Sequence, residues 1–205
     1  MGYSQAQKAE SRQRVLENAS RQIRENGIEA LGVADCMRSA GLTHGAFYGH
    51  FASRDALIVE ALEYALTQSR ARIAARDNDA GKCSEANDAG KRSETPLQSI
   101  AEAFLDERHV NDPGTGCALC ALAGEARHAN ADVRALLTRY LNELTARVAK
   151  AALRGGEKSA LGIVATIVGA ITLARAVDDD ELAKSVLSSS LALVMTQDGD
   201  GDSVQ

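Results

Sequence analysis

The chain of 205 residues has no tryptophan, two prolines and four cysteines, and only 3% of its residues are aromatic. Cysteines scattered at positions 36, 83, 117 and 120 do not make a disulfide framework, which excludes the stapled folds of small secreted proteins. Long hydrophobic runs are missing too. The longest stretch without a charge, 159–174, has sixteen residues between Lys158 and Arg175. A bilayer span needs roughly 20 apolar residues, so a buried helix is expected there and no membrane partner. No apolar run follows Lys8, Glu10, Arg12 and Arg14, so a secretory signal is not expected and the cytoplasm is the expected compartment. A P-loop, a dinucleotide glycine motif and a Ser/His/Asp set are all missing, so an enzyme is not expected.

The 45% of hydrophobic and 25% of charged residues are ordinary for a globular protein. Alanine, leucine, glutamate and arginine dominate the long segments. With proline so rare, this composition predicts an all-α fold. The net charge of −5 is unevenly spread. Residues 1–76 hold ten Lys/Arg against eight Asp/Glu, whereas 77–205 hold thirteen against twenty. Nucleic acid is therefore admissible only at the N-terminal end, and the excess there is too small to decide the matter alone.

Periodicity divides the chain into nine helical segments with no convincing strand. The first, 9–26, turns Val15, Leu16, Ala19 and Ile23 inward and stops at Asn26-Gly27. Two short pieces follow, 33–40 and 43–51. Ser53 then caps a long helix from Arg54 to about Arg76. Residues 77–94 carry a near-repeat, Asn78 to Glu85 and Asn87 to Glu94, too polar to fold alone and read as a flexible loop lengthened by duplication. Thr95-Pro96 opens a helix to about His109. A turn at 112–116 leads to a short apolar helix, Cys117 to Ala126, and Asn130 caps another that runs to about Leu153. Two helices near 157–175 and 178–196 complete the set, followed by a frayed tail over 198–205.

The informative stretch is short helix, Ala40-Gly41-Leu42-Thr43, short helix, which reads as a helix-turn-helix. Gly41 supplies the positive φ that ends the first helix, Leu42 fills the corner, and Thr43 caps the second. The exposed N-terminal end of that second helix can then enter a major groove about 12 Å wide. Thr43 and His44 offer hydrogen-bonding groups, Gly45 admits close approach, Tyr48 and His50 can donate to phosphate oxygens, and Arg54 adds a charge.

The run Gly41-Leu42-Thr43-His44-Gly45-Ala46-Phe47-Tyr48-Gly49-His50-Phe51-Ala52-Ser53-Arg54-Asp55-Ala56-Leu57 closely resembles the signature of tetracycline-repressor-like (TetR family) transcriptional regulators. The likeness extends back through Arg14, Ala19, Gly27 and Val33 and covers about a quarter of the chain. Gly32 departs from it, standing where the family has a Ser or Thr cap, and Arg54 replaces a lysine. The resemblance implies a helix-turn-helix DNA-binding domain over 1–54 and a ligand-binding, dimerising domain over 55–205. It implies a homodimer that binds a palindromic operator in double-stranded DNA, most simply as a repressor, and that a small-molecule effector releases.

Dimerisation is expected through the last two helices. Leu161, Ile163, Val164, Ile167, Val168 and Ile171 make the first of them apolar nearly all round, and Leu182, Val186, Leu187, Leu191 and Val194 line the second. The resemblance also implies an effector pocket, for which Phe104, His109, Cys117, Cys120, Glu125, His128 and Tyr140 are candidates, with a small or aliphatic ligand suiting so few aromatics. The competing reading is a thiol-based redox or metal sensor, or an oxidoreductase, built on Cys117 and Cys120. A complete metal site needs two further ligands at suitable spacing, which the chain does not offer, so neither metal nor cofactor is expected.

Overall fold

Single residues set most of the helix ends. In the computed structural model, which describes residues 5–83, 95–152 and 156–199, α1 (Gln5–Asn26) stops where Gly27 takes φ +88°, and α2 (Val33–Ser39) stops where Gly41 takes φ +74°. Gly41 N–H bonds the Arg38 carbonyl at 2.9 Å and Leu42 N–H the Met37 carbonyl at 2.9 Å, the paired bonds of a Schellman end. The Ser53 hydroxyl accepts from Ala56 N–H at 3.0 Å and starts α3 (Arg54–Cys83). Thr95, ahead of Pro96, accepts from Gln98 N–H at 3.2 Å and starts α4 (Pro96–Phe104). Asn130 accepts from Val133 N–H at 2.9 Å and starts α7 (Ala131–Ala151).

The remaining elements are α5 (Glu107–Asn111), α6 (Ala118–Leu122), α8 (Glu157–Ala176), α9 (Asp180–Gly199) and two 3-10 turns, η1 (His44–Gly49) and η2 (Ala126–His128). The described residues are thus all helical, with nine α-helices and no strand. Their correspondence with the nine segments read from sequence breaks in several places, one of them 117–126, which is helical only over Ala118–Leu122 before the 3-10 turn η2. The second helix of the motif is a 3-10 turn, and the segment from Thr95 to His109 is two helices. That break has a local cause, because Asp106 Oδ1 accepts from Arg108 N–H at 2.8 Å and so caps α5. Helix α3 also runs on through Cys83 into the stretch read as loop, since elongating a helix over residues without proline costs little. The rest of that stretch, 84–94, and the tail over 200–205 lie outside the described residues.

The chain forms two compact units. The first combines residues 1–68 with 112–138. Its core joins Val15, Ala19 and Ile23 of α1, Cys36 and Met37 of α2, Phe47 and Phe51, Leu57, Ala61 and Leu62 of α3, and Ala118 and Leu122 of α6. Burial of each large side chain is worth about 1.5–3 kcal/mol, well above the ~0–1 kcal/mol of exposed ion pairs such as Arg38–Asp35. Packing of this kind holds the first unit together.

The second unit combines 69–111 with 139–205. Leu97, Ile100 and Phe104 of α4 and Tyr140, Leu144 and Val148 of α7 are buried in it. Helix α8 packs on α9, and α5 packs on α8, where Arg175 donates from Nε to the His109 carbonyl at 3.1 Å. Helix α8 is not buried on all sides: Ile163, Val164, Ile167, Ala170, Ile171 and Ala174 are covered, whereas Leu161 is 48% and Leu173 59% exposed. By length and composition α8 passes for a membrane-crossing helix, with mean hydropathy 1.7 over Lys158–Ala176. A long apolar helix that packs on neighbours along one side passes the same test of length and composition.

Candidate nucleic-acid interface

The aromatic residues of the motif decide how its tip is presented. Phe47 and Phe51 are each 2% exposed and stack with ring centroids 5.8 Å apart. Tyr48, next in sequence, is 76% exposed and meets only the edge of Phe47, at 5.2 Å. The 3-10 geometry of η1 therefore anchors Phe47 in the core and turns Tyr48 to solvent beside Thr43, His44 and Gly45, all exposed. A Cβ added at Gly45 would meet nothing within 4 Å, so the protein itself makes no demand for glycine there. Space of that kind lets another molecule approach the backbone closely.

Thr43 occupies the N-cap position of η1 in extended conformation, φ −79° and ψ 151°, but its side chain makes no capping bond. The sequence reading gave it that bond. A 3-10 turn that tightens within three residues is closed instead by the Thr43 carbonyl, which accepts from Ala46 N–H at 3.1 Å. The Thr43 hydroxyl faces solvent with its hydrogen-bonding capacity unused by the cap.

Arg12 of α1 supports the far end of the turn. Its guanidinium lies 4.7 Å from the Phe51 ring centroid, its Nε donates to the His50 carbonyl at 3.4 Å, and it pairs with Glu60 of α3. His50 is half-buried with Nδ1 turned inward and unpartnered. Burial first, and the positive charges of Lys8 and Arg12 second, push the His50 pKa below its ordinary value. The imidazole is accordingly neutral at physiological pH. Because protonation is disfavoured only in the folded chain, this histidine's contribution to stability is complete above about pH 6.5 and is lost as pH falls below that value. Thermal unfolding followed from pH 7.5 downward is expected to show this loss, and His50→Gln is expected to remove its share of the slope. An unchanged slope in the variant would place the dependence on another group.

Arg54 sits half-buried at the start of α3, where its Nη2 donates to the Ile28 and Glu29 carbonyls at 2.9 Å each and its Nε to the Leu31 carbonyl at 3.2 Å. The sequence assigns it a charge for a DNA phosphate. The structure gives it a second role, as the clamp on the loop between α1 and α2. Arg38, near the end of α2 with a side chain 78% exposed, carries a cation that sequence reasoning did not single out.

The effector-pocket candidates are divided between the two units. Phe104, 3% exposed, lies 5.6 Å from the His109 ring, and Tyr140, 1% exposed, lies beneath the Arg70 guanidinium at 5.5 Å, all in the second unit. Cys117, Cys120, Glu125 and His128 belong to the first. Cys117 and Cys120 are buried at 2% and 5%, Glu125 is half-buried against the loop after α1, and His128 is exposed beside Arg127. Among the described residues no group of three or more His, Cys, Asp and Glu is placed to hold a metal ion.

With this geometry in view, the likenesses to known proteins fall into place. Residues 15–61 match the family model described as bacterial regulatory proteins, tetR family. No curated protein matches the chain in sequence. A TetR transcriptional regulator from Chloroflexus aurantiacus superposes with a TM-score of 0.72 at 22% identity, covering 93% of this chain and 95% of that one. A TetR-family regulator from Cytophaga hutchinsonii gives 0.71 at 19% identity, covering 96% and 98%. The reduced form of NemR from Escherichia coli gives 0.70 at 17% identity, covering 91% and 96%. Residues 15–61 thus carry a sequence of the tetR regulatory-protein family, and the chain around them has the all-α fold of the TetR-family structures it superposes on.

Proposed function

We propose that the protein is a homodimeric repressor, acting in the cytoplasm, whose residues 1–54 read a palindromic operator in double-stranded DNA and whose residues 55–205 bind a small-molecule effector and dimerise. The observation that carries this reading is where large apolar side chains stand exposed. Five do so among the described residues: Tyr48 on the tip of the motif, Leu161 and Leu173 on α8, and Leu182 and Leu193 on α9. Exposure of such groups in a cluster marks surfaces that are covered by a partner. The first lies on the element that enters DNA in a helix-turn-helix, and the other four lie on the two helices suited to pair across a two-fold axis.

Thr43, His44, Gly45 and Tyr48 supply the exposed tip that meets the groove, with His50 and Arg54 at its rim, where backbone phosphates pass. Effector binding in the second domain favours a dimer whose tips are wrongly spaced for the operator, so release follows from a population shift. Nothing in this scheme calls on catalysis, a metal or a membrane. The thiol-sensor alternative needs an accessible thiolate, and the burial of Cys117 and Cys120 speaks against it.

The test is a gel shift with the intergenic DNA upstream of the protein's own coding sequence, in graded salt, with and without a thiol oxidant. Saturable binding to one palindromic fragment, insensitive to oxidant, is the expected result. Only salt-sensitive background binding would sink the operator reading, and release by oxidant would install the thiol reading in its place. Tyr48→Ala is expected to weaken the specific complex about 10- to 100-fold, the usual cost of one lost recognition contact, while leaving the unfolding midpoint unchanged because that side chain is exposed. Full affinity in the variant would remove Tyr48 from the interface.

A further inference from the structure

Residues 112–138, far from the motif in sequence, form one compact unit with residues 1–68. Side-chain bonds attach the start of the α6 region to α1 and its end to the loop that follows α1. At the start, the buried Arg24 side chain of α1 donates from Nη1 to the Gly116 carbonyl at 3.3 Å, while its Nη2 donates to Gln68 Oε1 of α3 at 3.1 Å. At the end, just after α6, both carboxylate oxygens of Glu125 accept from Ile28 N–H, at 3.1 and 3.2 Å, across 97 positions of sequence. The carboxylate lies so close over the terminal turn of α1 that a Cβ on Gly27 would come within 2.8 Å of Glu125 Oε2.

The partner of that bond is a sensitive point of the fold. Ile28 and Leu31 are buried, and the carbonyls of Ile28, Glu29 and Leu31 accept from Arg54. The peptide groups flanking Ile28 are thus held from opposite sides, a carboxylate on the N–H and a guanidinium on the C=O. Together they set the backbone of the loop that joins α1 to α2, and with it the angle at which α2 and η1 stand on α1. The bond is charge-assisted and directional. Yet the carboxylate stands at the C-terminal end of α1, where the helix dipole is negative and an anion is disfavoured. The charge-assisted bond outweighs that adverse field and so holds one geometry, with a smaller margin than the bond alone would give.

We infer that Glu125 is a positioning residue for DNA reading: its carboxylate, presented by the segment after α6, locks the α1–α2 loop in the geometry that aims the 43–48 tip. This rests on the DNA-reading role proposed above. Movement of the 112–128 segment would release Ile28 and change the aim of the tip without touching it.

The experiment uses the full chain with Glu125→Ala and Glu125→Gln, measuring amide exchange of the DNA-free protein and binding of the same upstream intergenic DNA. Glu125→Ala is expected to lower the protection of the Ile28 amide about tenfold, while amides of Val15 and Ala19 in mid-α1 keep theirs. Specific affinity is expected to fall about tenfold with an unchanged salt slope, because no phosphate contact is lost. Glu125→Gln, whose amide oxygen still accepts, is expected to fall between the wild type and alanine, and serves if the alanine variant does not fold. Ile28 protection unchanged in the variants would overturn the inference, as would lost protection with undiminished affinity. If the wild-type protein itself bound no DNA specifically, the DNA-reading role would fall with it, and the exchange data would then report only a loop anchor.

Discussion

Replacing Phe47 by alanine is expected to destabilise the N-terminal unit by about 3–5 kcal/mol and to abolish operator binding. The side chain is 2% exposed, stacks on Phe51 at 5.8 Å and lies edge to face with Tyr48 at 5.2 Å. Its removal forfeits the transfer free energy of a benzyl group and leaves a cavity beside the Phe51 ring, which also carries the Arg12 guanidinium at 4.7 Å. A short 3-10 helix has little hydrogen bonding of its own to resist that loss, since η1 spans only six residues and Phe47 is the one buried among them. Denaturant unfolding read through the amides of α1, α2 and α3 measures the effect. A cost below about 1 kcal/mol would show that the turn does not depend on its aromatic anchor. Set beside Tyr48→Ala, the experiment separates adjacent residues by role, one lost from stability and the other from binding alone.

The second large effect concerns the apolar face shared by α8 and α9. Leu173→Glu combined with Leu193→Glu is expected to convert a dimer into single chains of 21.6 kDa at micromolar concentration, as read by sedimentation. Leu173 is 59% exposed and Leu193 49% exposed in the single chain, so neither change disturbs the packed side of its helix. Covered by a partner, each introduced carboxylate would be desolvated without a counter-charge, at a cost of several kcal/mol that a protein interface does not recover. The variant monomer is then expected to lose affinity for a palindrome much more than for a single half-site, because one motif reads one half-site. A wild-type chain that sediments as a monomer would contradict the dimer outright.

Much of this protein is written locally. Glycines at 27 and 41, with Ser53, Thr95 and Asn130, mark helix ends that the structure reproduces, because stops and caps depend on one residue's φ or one short side chain. The inward stripe Val15, Leu16, Ala19 and Ile23 is buried as its period demands. The motif from Gly41 to Leu57 was legible for the same reason: its turn, its buried aromatics and its cap lie within a few residues of one another. Asp106 carried a signal of the same kind for the break before α5, and its capping role could have been read from its place two residues ahead of Arg108.

Other features are decided only when distant parts of the chain meet. Composition makes Arg54 a surface cation, and the fold gives it the carbonyls of Ile28, Glu29 and Leu31. Glu125 looks like one more polar residue in a loop, yet its carboxylate closes on the Ile28 amide 97 positions away. Helix α8 reads as apolar all round, but the chain supplies neighbours for only one of its sides. By itself the sequence determined most of the helices, the ends set by Gly27, Gly41, Ser53, Thr95 and Asn130, and the helix-turn-helix motif, since those follow from torsional preference and short-range hydrogen bonding. Tertiary structure alone decided which charges are spent inside the protein and which apolar face is left for a partner, because burial and pairing depend on what long-range packing brings alongside each side chain.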